Sequence, residues 1–313
     1  MEKNSKIESI LLSILLTAII LFFLYKTVGA FSLDYIQSYF TFSIISISMI
    51  LYLLIKIVNT FRYNLIFNQK DFFKSINILF FSNFMLTILP SRLGEVSYLQ
   101  LFNKHYGISY SRGLKKIIFL RICDYFAICI LMFLSFIFTI ESNSEIFKNN
   151  YIVFTIGIFA LICGVLLLFF FMEFKNSSNS KIINQFFGYL SDIKETKDKF
   201  QLILWSLSYW FLRFSLGIYL FWAVGLNLPF VSLFFISTLM MLVSLIPIQT
   251  IAGFGIFEGT WTTAFLIFGV NNTNLLNLVL AVHLLGLINV ILFGSISFII
   301  LYILIRNKSD HIC

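Results

Sequence analysis

Two short stretches set charge beside a break in an apolar run. The first is Pro90-Ser91-Arg92-Leu93-Gly94-Glu95, directly after the apolar segment 76–89. Pro90 lacks an N–H and disfavours helix at Leu89. Gly94 permits backbone conformations that other residues resist. Arg92 offers a planar fork of donors that suits a phosphate. Glu95 can pair with that arginine, orient it or take a proton. An ordinary cytoplasmic Arg–Glu pair is the plainer reading of the same residues. The second stretch, 245–261, reads LIPIQTIAGFGIFEGTW. Pro247 interrupts it, Gly253 and Gly255 follow, and Glu258 stands behind them. A carboxylate inside a membrane costs on the order of 3 kcal/mol on insertion scales, so it has a partner or a task. Arg213, Arg121 and Arg92 are the candidate partners; a structural ion pair locking two helices is the alternative.

Other charged residues are less pointed. Arg121 and Asp124 stand three apart on one helical face and can pair with each other at the cytoplasmic end of a span. Arg213 lies inside an apolar run, where it can snorkel, meet an anion or bond Glu258. His283 reads as a polar helix-packing residue, with a proton or headgroup role as the alternative. The stretch 104–116, KHYGISYSRGLKK, is a basic cytoplasmic segment suited to headgroups or simply to setting topology. Cys123, Cys129, Cys163 and Cys313 form no CxxC, and His105, His283 and His311 are scattered. No metal site and no cofactor are expected on these spacings. No GxxxxGK[ST] is present, so an ATP-driven mechanism is not expected either. Paired carboxylates at short spacing, which a metal-dependent lipid-phosphate transferase needs, are missing.

The elements that must position these groups are membrane helices. The chain is 59% hydrophobic and 12% charged, with a mean hydropathy of +0.95. Soluble domains carry roughly twice that charge. Apolar runs at about 9–25, 39–58, 117–140, 151–172, 201–224 and 277–305 reach the ~20 residues that cross a bilayer core. The alternating segments of a β-barrel are absent. The run at 9–25 is too long for a signal-peptide core and lacks a good cleavage site, so it reads as an uncleaved first span. The expected fold is therefore an all-α polytopic membrane protein of about 6–8 transmembrane helices, forming a single transmembrane domain over 1–313. Its broken elements fall at about 75–116 and 230–268, with a cytoplasmic loop at about 173–200. With both termini cytoplasmic, every Lys and Arg except Lys26, Lys148 and Arg213 falls on the cytoplasmic side. That bias holds whether the broken elements re-enter or cross fully. The net charge of +8 thus follows from topology, and nucleic acid is not an expected partner. Two broken segments of opposite orientation signal an inverted repeat, with a substrate site where the breaks meet.

Four blocks in order, LPSRLGE (89–95), YGIS (106–109), RICDYF (121–126) and IPIQTIAGFGIFEGTW (246–261), resemble the lysylphosphatidylglycerol synthase transmembrane-region family, also called flippase-like domain proteins. The resemblance implies a helix bundle with inverted re-entrant elements that moves a lipid between leaflets. Carried over by position, Arg92, Glu95, Arg121, Asp124, Gly253, Gly255 and Glu258 match the family's polar and glycine-rich motifs. Ile248 and Gln249 depart from the small residues that often follow the proline of the second motif. Bifunctional members add an aminoacyl-transferase domain; this chain ends at Cys313, so that activity is not expected of it. The expected function is translocation, not catalysis, of an anionic, aminoacylated or polyprenyl-phosphate-linked lipid in the cell membrane. A membrane-embedded transferase and a scaffold for envelope assembly are the alternatives. Expected partners are the membrane lipid substrate, phospholipid or lipid-linked glycan, with envelope-biosynthesis enzymes and a second copy of the chain as further candidates.

Overall fold

The computed structural model describes residues 33–89, 94–141, 196–243, 250–270 and 272–310. All the regular structure there is helical: α1 (Leu33–Gln37), α2 (Phe42–Phe67), α3 (Phe72–Ile88), α4 (Gly94–Tyr106), α5 (Tyr110–Glu141), α6 (Thr196–Ala223), α7 (Phe230–Val243), a 3-10 turn (Ile251–Gly253), α8 (Ile256–Ile267) and α9 (Leu275–Asp310). Among the described residues, α2, α5, α6 and α9 are long and apolar enough to cross a bilayer. They answer four of the expected spans. The other two, 9–25 and 151–172, lie outside the described residues, as does most of the loop 173–200.

The faces of α2 show why such a chain belongs in lipid. Thr41 caps its start, accepting from the Ile44 N–H at 3.4 Å, and Asn68 ends it in a left-handed conformation, φ 53°. Ser48, Tyr52, Lys56, Asn59 and Tyr63 repeat at helical spacing on the buried face. Phe42, Ile50, Leu53, Leu54 and Phe61 are exposed. The polar stripe faces the protein and the apolar one faces out, the reverse of a helix in water. The helix also runs nine residues past the end expected at 58, to Phe67. This corrects one placement: Lys56 and Arg62 are buried in α2, not in a cytoplasmic loop.

The shorter helices form two hairpins. In the first, α3 packs against α4, and its ends are tied together. The Tyr106 hydroxyl at the end of α4 lies 2.8 Å from Ser75 Oγ and 3.3 Å from the Asp71 carbonyl at the start of α3. The hairpin therefore returns to the end of the bundle from which it starts. Burial holds the Tyr106 hydroxyl above its ordinary pKa, so it stays protonated as a donor for that tie. The same end holds the close of α2, where Lys116 Nζ donates to the Ile66 carbonyl at 2.8 Å, and the beginning of α6, where Trp205 stacks on Phe61 at 5.0 Å. Lys70, Lys74, Lys104, Arg112 and Lys115 belong to these segments, so this is the basic end.

In the second hairpin, α7 and α8 pack together, and Phe235 of α7 meets Phe268 just past α8 with ring centroids 6.3 Å apart. Its ends sit at the opposite end of α6. There Phe221 packs on Trp261 and Phe265, and the Trp222 indole donates to the Leu228 carbonyl at 2.8 Å. The ends of the two hairpins thus pack at opposite ends of α6. The hairpins also touch: α3 packs against the 3-10 turn of the second hairpin. The helix α9 backs both, lying along α3 and α8. Gly294 sets its approach to α3, since a Cβ there would sit 2.3 Å from Phe84 Cβ.

Candidate functional site

The second break is a buried polar knot. Thr250 Oγ1 donates to the Phe254 carbonyl at 2.7 Å and closes the loop that precedes α8. Ala252, Gly253 and Gly255 all have positive φ, at 51°, 79° and 83°. Glycine adopts that region without a Cβ clash, whereas Ala252 is there at a cost. The loop places Glu258 on the first turn of α8, fully buried at 0% exposure. Glu258 Oε2 accepts the Gly255 N–H at 2.6 Å, satisfying an orphan donor of the helix start. Glu258 Oε1 lies 2.5 Å from His283 Nδ1 on α9. His283 Nε2 lies 3.0 Å from the Ala252 carbonyl. A carbonyl only accepts, so the imidazole carries its hydrogen on Nε2. One further proton is left between Nδ1 and Oε1. Whether it sits on nitrogen or oxygen, the pair is neutral overall, which is how a carboxylate is held in so dry a place. Phe257 stacks on the imidazole with centroids 4.5 Å apart, and Phe254 covers it at 4.9 Å.

This corrects the partner expected for Glu258. Sequence spacing offered Arg213, Arg121 and Arg92; the structure gives it His283, 25 positions later in the chain. His283 is therefore more than a packing residue. It clamps the left-handed turn through Ala252 and the helix start through Glu258.

A second buried charge pair lies at the meeting of α2, α5 and α6. Asp124 accepts from Arg62 Nη2 and, at 2.9 Å, from the Trp210 indole. Arg62 Nη1 donates to Asn59 Oδ1 at 3.1 Å, and its guanidinium lies 4.5 Å from the Tyr209 ring centroid. Arg62 is 1% exposed and Asp124 is 7% exposed. The spacing of Arg121 and Asp124 pointed to a pair within one helix. Arg121 is exposed, and Arg62, facing inward from α2, pairs with the buried carboxylate. Arg213 is exposed near the middle of α6, with its guanidinium 5.7 Å from the Trp210 ring centroid.

Of the remaining expected residues, Pro90, Arg92 and Pro247 lie outside the described residues, and Gly94 and Glu95 are described by their backbone alone, as the first turn of α4. The structure brings Gly253, Gly255 and Glu258 together at one knot and keeps Asp124 in another. Lys56 and Arg62 join the buried polar groups without having been singled out, and His283 joins them as the partner of Glu258. The repeat of Tyr52, Lys56, Asn59 and Tyr63 every three to four residues was the signal for Lys56.

The lysylphosphatidylglycerol synthase TM region family matches residues 10–294. The chain belongs to that family. The match takes in every helix described above except the end of α9, and it agrees with an all-helical membrane protein whose work concerns lipid. No curated protein and no solved structure matches the chain.

Proposed function

We propose that this chain is a membrane lipid translocase of the cell membrane, moving an anionic, aminoacylated or polyprenyl-phosphate-linked lipid between leaflets. The two hairpins are read as re-entrant elements of an inverted repeat, entering from opposite leaflets, with both chain termini cytoplasmic. The observation that carries this reading is the contact of α3 with the left-handed turn beside the Glu258–His283 pair. It supports a shared site at the meeting of two interrupted segments, the arrangement in which transporters hold substrate. Lipid tails stay in the bilayer while the headgroup crosses along polar side chains, and Arg92 and Glu95 are assigned to that path from the first break.

The Glu258–His283 pair supplies a means of coupling. It holds one shared proton between Oε1 and Nδ1. Both carboxylate oxygens are engaged, Oε2 by the Gly255 N–H and Oε1 by His283 Nδ1. Protonation of the carboxylate weakens both contacts, and with them the hold on the helix start and on the turn. A proton gradient can thereby bias the opening of the second hairpin.

Leaflet exchange of labelled lipid in proteoliposomes tests this reading. Arg92→Ala and Glu258→Gln are each expected to abolish exchange. Glutamine still accepts the Gly255 N–H and can donate to Nδ1, so this second variant keeps the fold while losing the exchangeable proton. Normal exchange by both folded variants removes these residues from the mechanism.

A further inference from the structure

We infer that the basic end of the bundle carries a docking surface for anionic phospholipid headgroups, formed by Lys70, Lys104 and Arg112. The surface goes beyond the translocase reading and does not depend on it, since lipid can be held there whether or not it crosses. The three cations are far apart in sequence, and side-chain ties bring their segments together. Lys70 directly precedes Asp71, whose carbonyl accepts the Tyr106 hydroxyl at 3.3 Å, and Lys104 stands two residues before Tyr106. Arg112 lies on the first turn of α5, beside Gly113, where a Cβ would come 2.9 Å from Leu99 Cδ2 of α4. The Asn103 amide donates to the Ile108 carbonyl at 3.0 Å and closes the turn between those two helices. One helical turn beyond Arg112, Lys116 reaches the Ile66 carbonyl at 2.8 Å, which joins the start of α5 to the end of α2.

Lys70, Lys104 and Arg112 are exposed, and among the described residues no carboxylate pairs with them. Two neighbouring cations are already engaged. Lys74 lies 3.7 Å from Asp71 and 5.4 Å from the Tyr106 ring centroid, and Lys116 holds the Ile66 carbonyl. Setting topology needs only an excess of Lys and Arg on one side of the membrane. It does not need them gathered, exposed and unpaired around one helix junction. Apolar side chains stand among these charges: Phe73 is 60% exposed beside Lys74, and Tyr110 and Leu114, 52% and 48% exposed, flank Arg112. Cations interleaved with outward aromatic and aliphatic groups fit the level where headgroups meet acyl chains. A soluble acidic protein matches the charges but leaves the apolar groups in water, so the mixture favours lipid. Lipid held here lies beside the closed ends of the first hairpin.

The test uses the full chain in mixed micelles holding equal amounts of phosphatidylglycerol and phosphatidylcholine with the same acyl chains. Lipid retained through gel filtration is quantified by mass spectrometry. Wild type is expected to retain phosphatidylglycerol in preference, and high salt to weaken that preference. The triple variant Lys70→Gln/Lys104→Gln/Arg112→Gln is expected to lose about tenfold or more of it, with its melting temperature unchanged because the three side chains are exposed. If the triple variant is not recovered folded, Lys104→Gln and Arg112→Gln are measured singly, each with an expected loss of about threefold or more. Equal retention of the two lipids by wild type overturns the surface, and so does an unchanged preference in the folded variants. Displacement of phosphatidylglycerol by polyglutamate, beyond what chloride achieves at the same ionic strength, would make an acidic polypeptide the better occupant and overturn the lipid assignment.

Discussion

Among the described residues, the buried carboxylates Asp124 and Glu258 are answered by their surroundings in different ways. Asp124 and Arg62 neutralise one another, with Trp210 and Asn59 taking further hydrogen-bonding positions. Removing one member leaves the other charged and dry. Asp124→Asn is therefore expected to lower stability by about 3–5 kcal/mol, the range for breaking a buried pair, measured as a fall in melting temperature in detergent. The double variant Arg62→Met/Asp124→Leu is expected to recover much of that loss. An Asp124→Asn protein as stable as wild type would mean that the pair contributes nothing. Glu258 was legible as unusual from its apolar neighbours alone. Its partner was not, because the pairing joins two helices across 25 positions and depends on where the turn aims them. Arg62 was misplaced for a simpler reason. Its helix outlasts the apolar run, and Asn59, Thr60 and Arg62 read as the end of a span when they are its inward face.

Glycines decide how closely the elements approach. On α9, Gly294 meets Phe84 of α3, while Gly286 has nothing within 4 Å of the place a Cβ would take. Gly294→Ala is expected to cost about 1–3 kcal/mol, as overpacking does, and to loosen the first hairpin from α9. Gly286→Ala is expected to be tolerated. The comparison of melting temperatures checks this, and equal effects would place the α3–α9 contact elsewhere. At the second break Gly255 has φ 83° and ψ −50°, a conformation that an L side chain resists. Gly255→Ala should therefore destabilise more than Gly217→Ala, which lies in a helix with open space around it. The break itself was readable from Pro247, Gly253 and Gly255. The left-handed Ala252 was not, since alanine carries no signal for that conformation and its carbonyl is held there by His283.

At the scale of the molecule, the composition and apolar runs were enough for a helical membrane protein, and the four described spans bear that out. The hairpins were legible as interrupted segments; that their ends lie at opposite ends of α6 emerges only from side-chain ties such as Tyr106 to Ser75 and Trp222 to Leu228. Those ties make a topological prediction. Single cysteines at Gln69 and Gly107 are expected to react with an impermeant thiol reagent from the cytoplasmic face, and cysteines at Asn227 and Gly269 from the other. Reaction of Gln69 and Gly269 from one face would contradict opposed hairpins. The most direct measurement of all is leaflet exchange by the purified wild-type chain. In liposomes holding fluorescent phosphatidylglycerol, an external quencher is expected to reach nearly all of the label when the protein is present, and only the outer-leaflet fraction when it is absent. The same plateau with and without protein, for anionic, aminoacylated and polyprenyl-phosphate lipids alike, would contradict translocation.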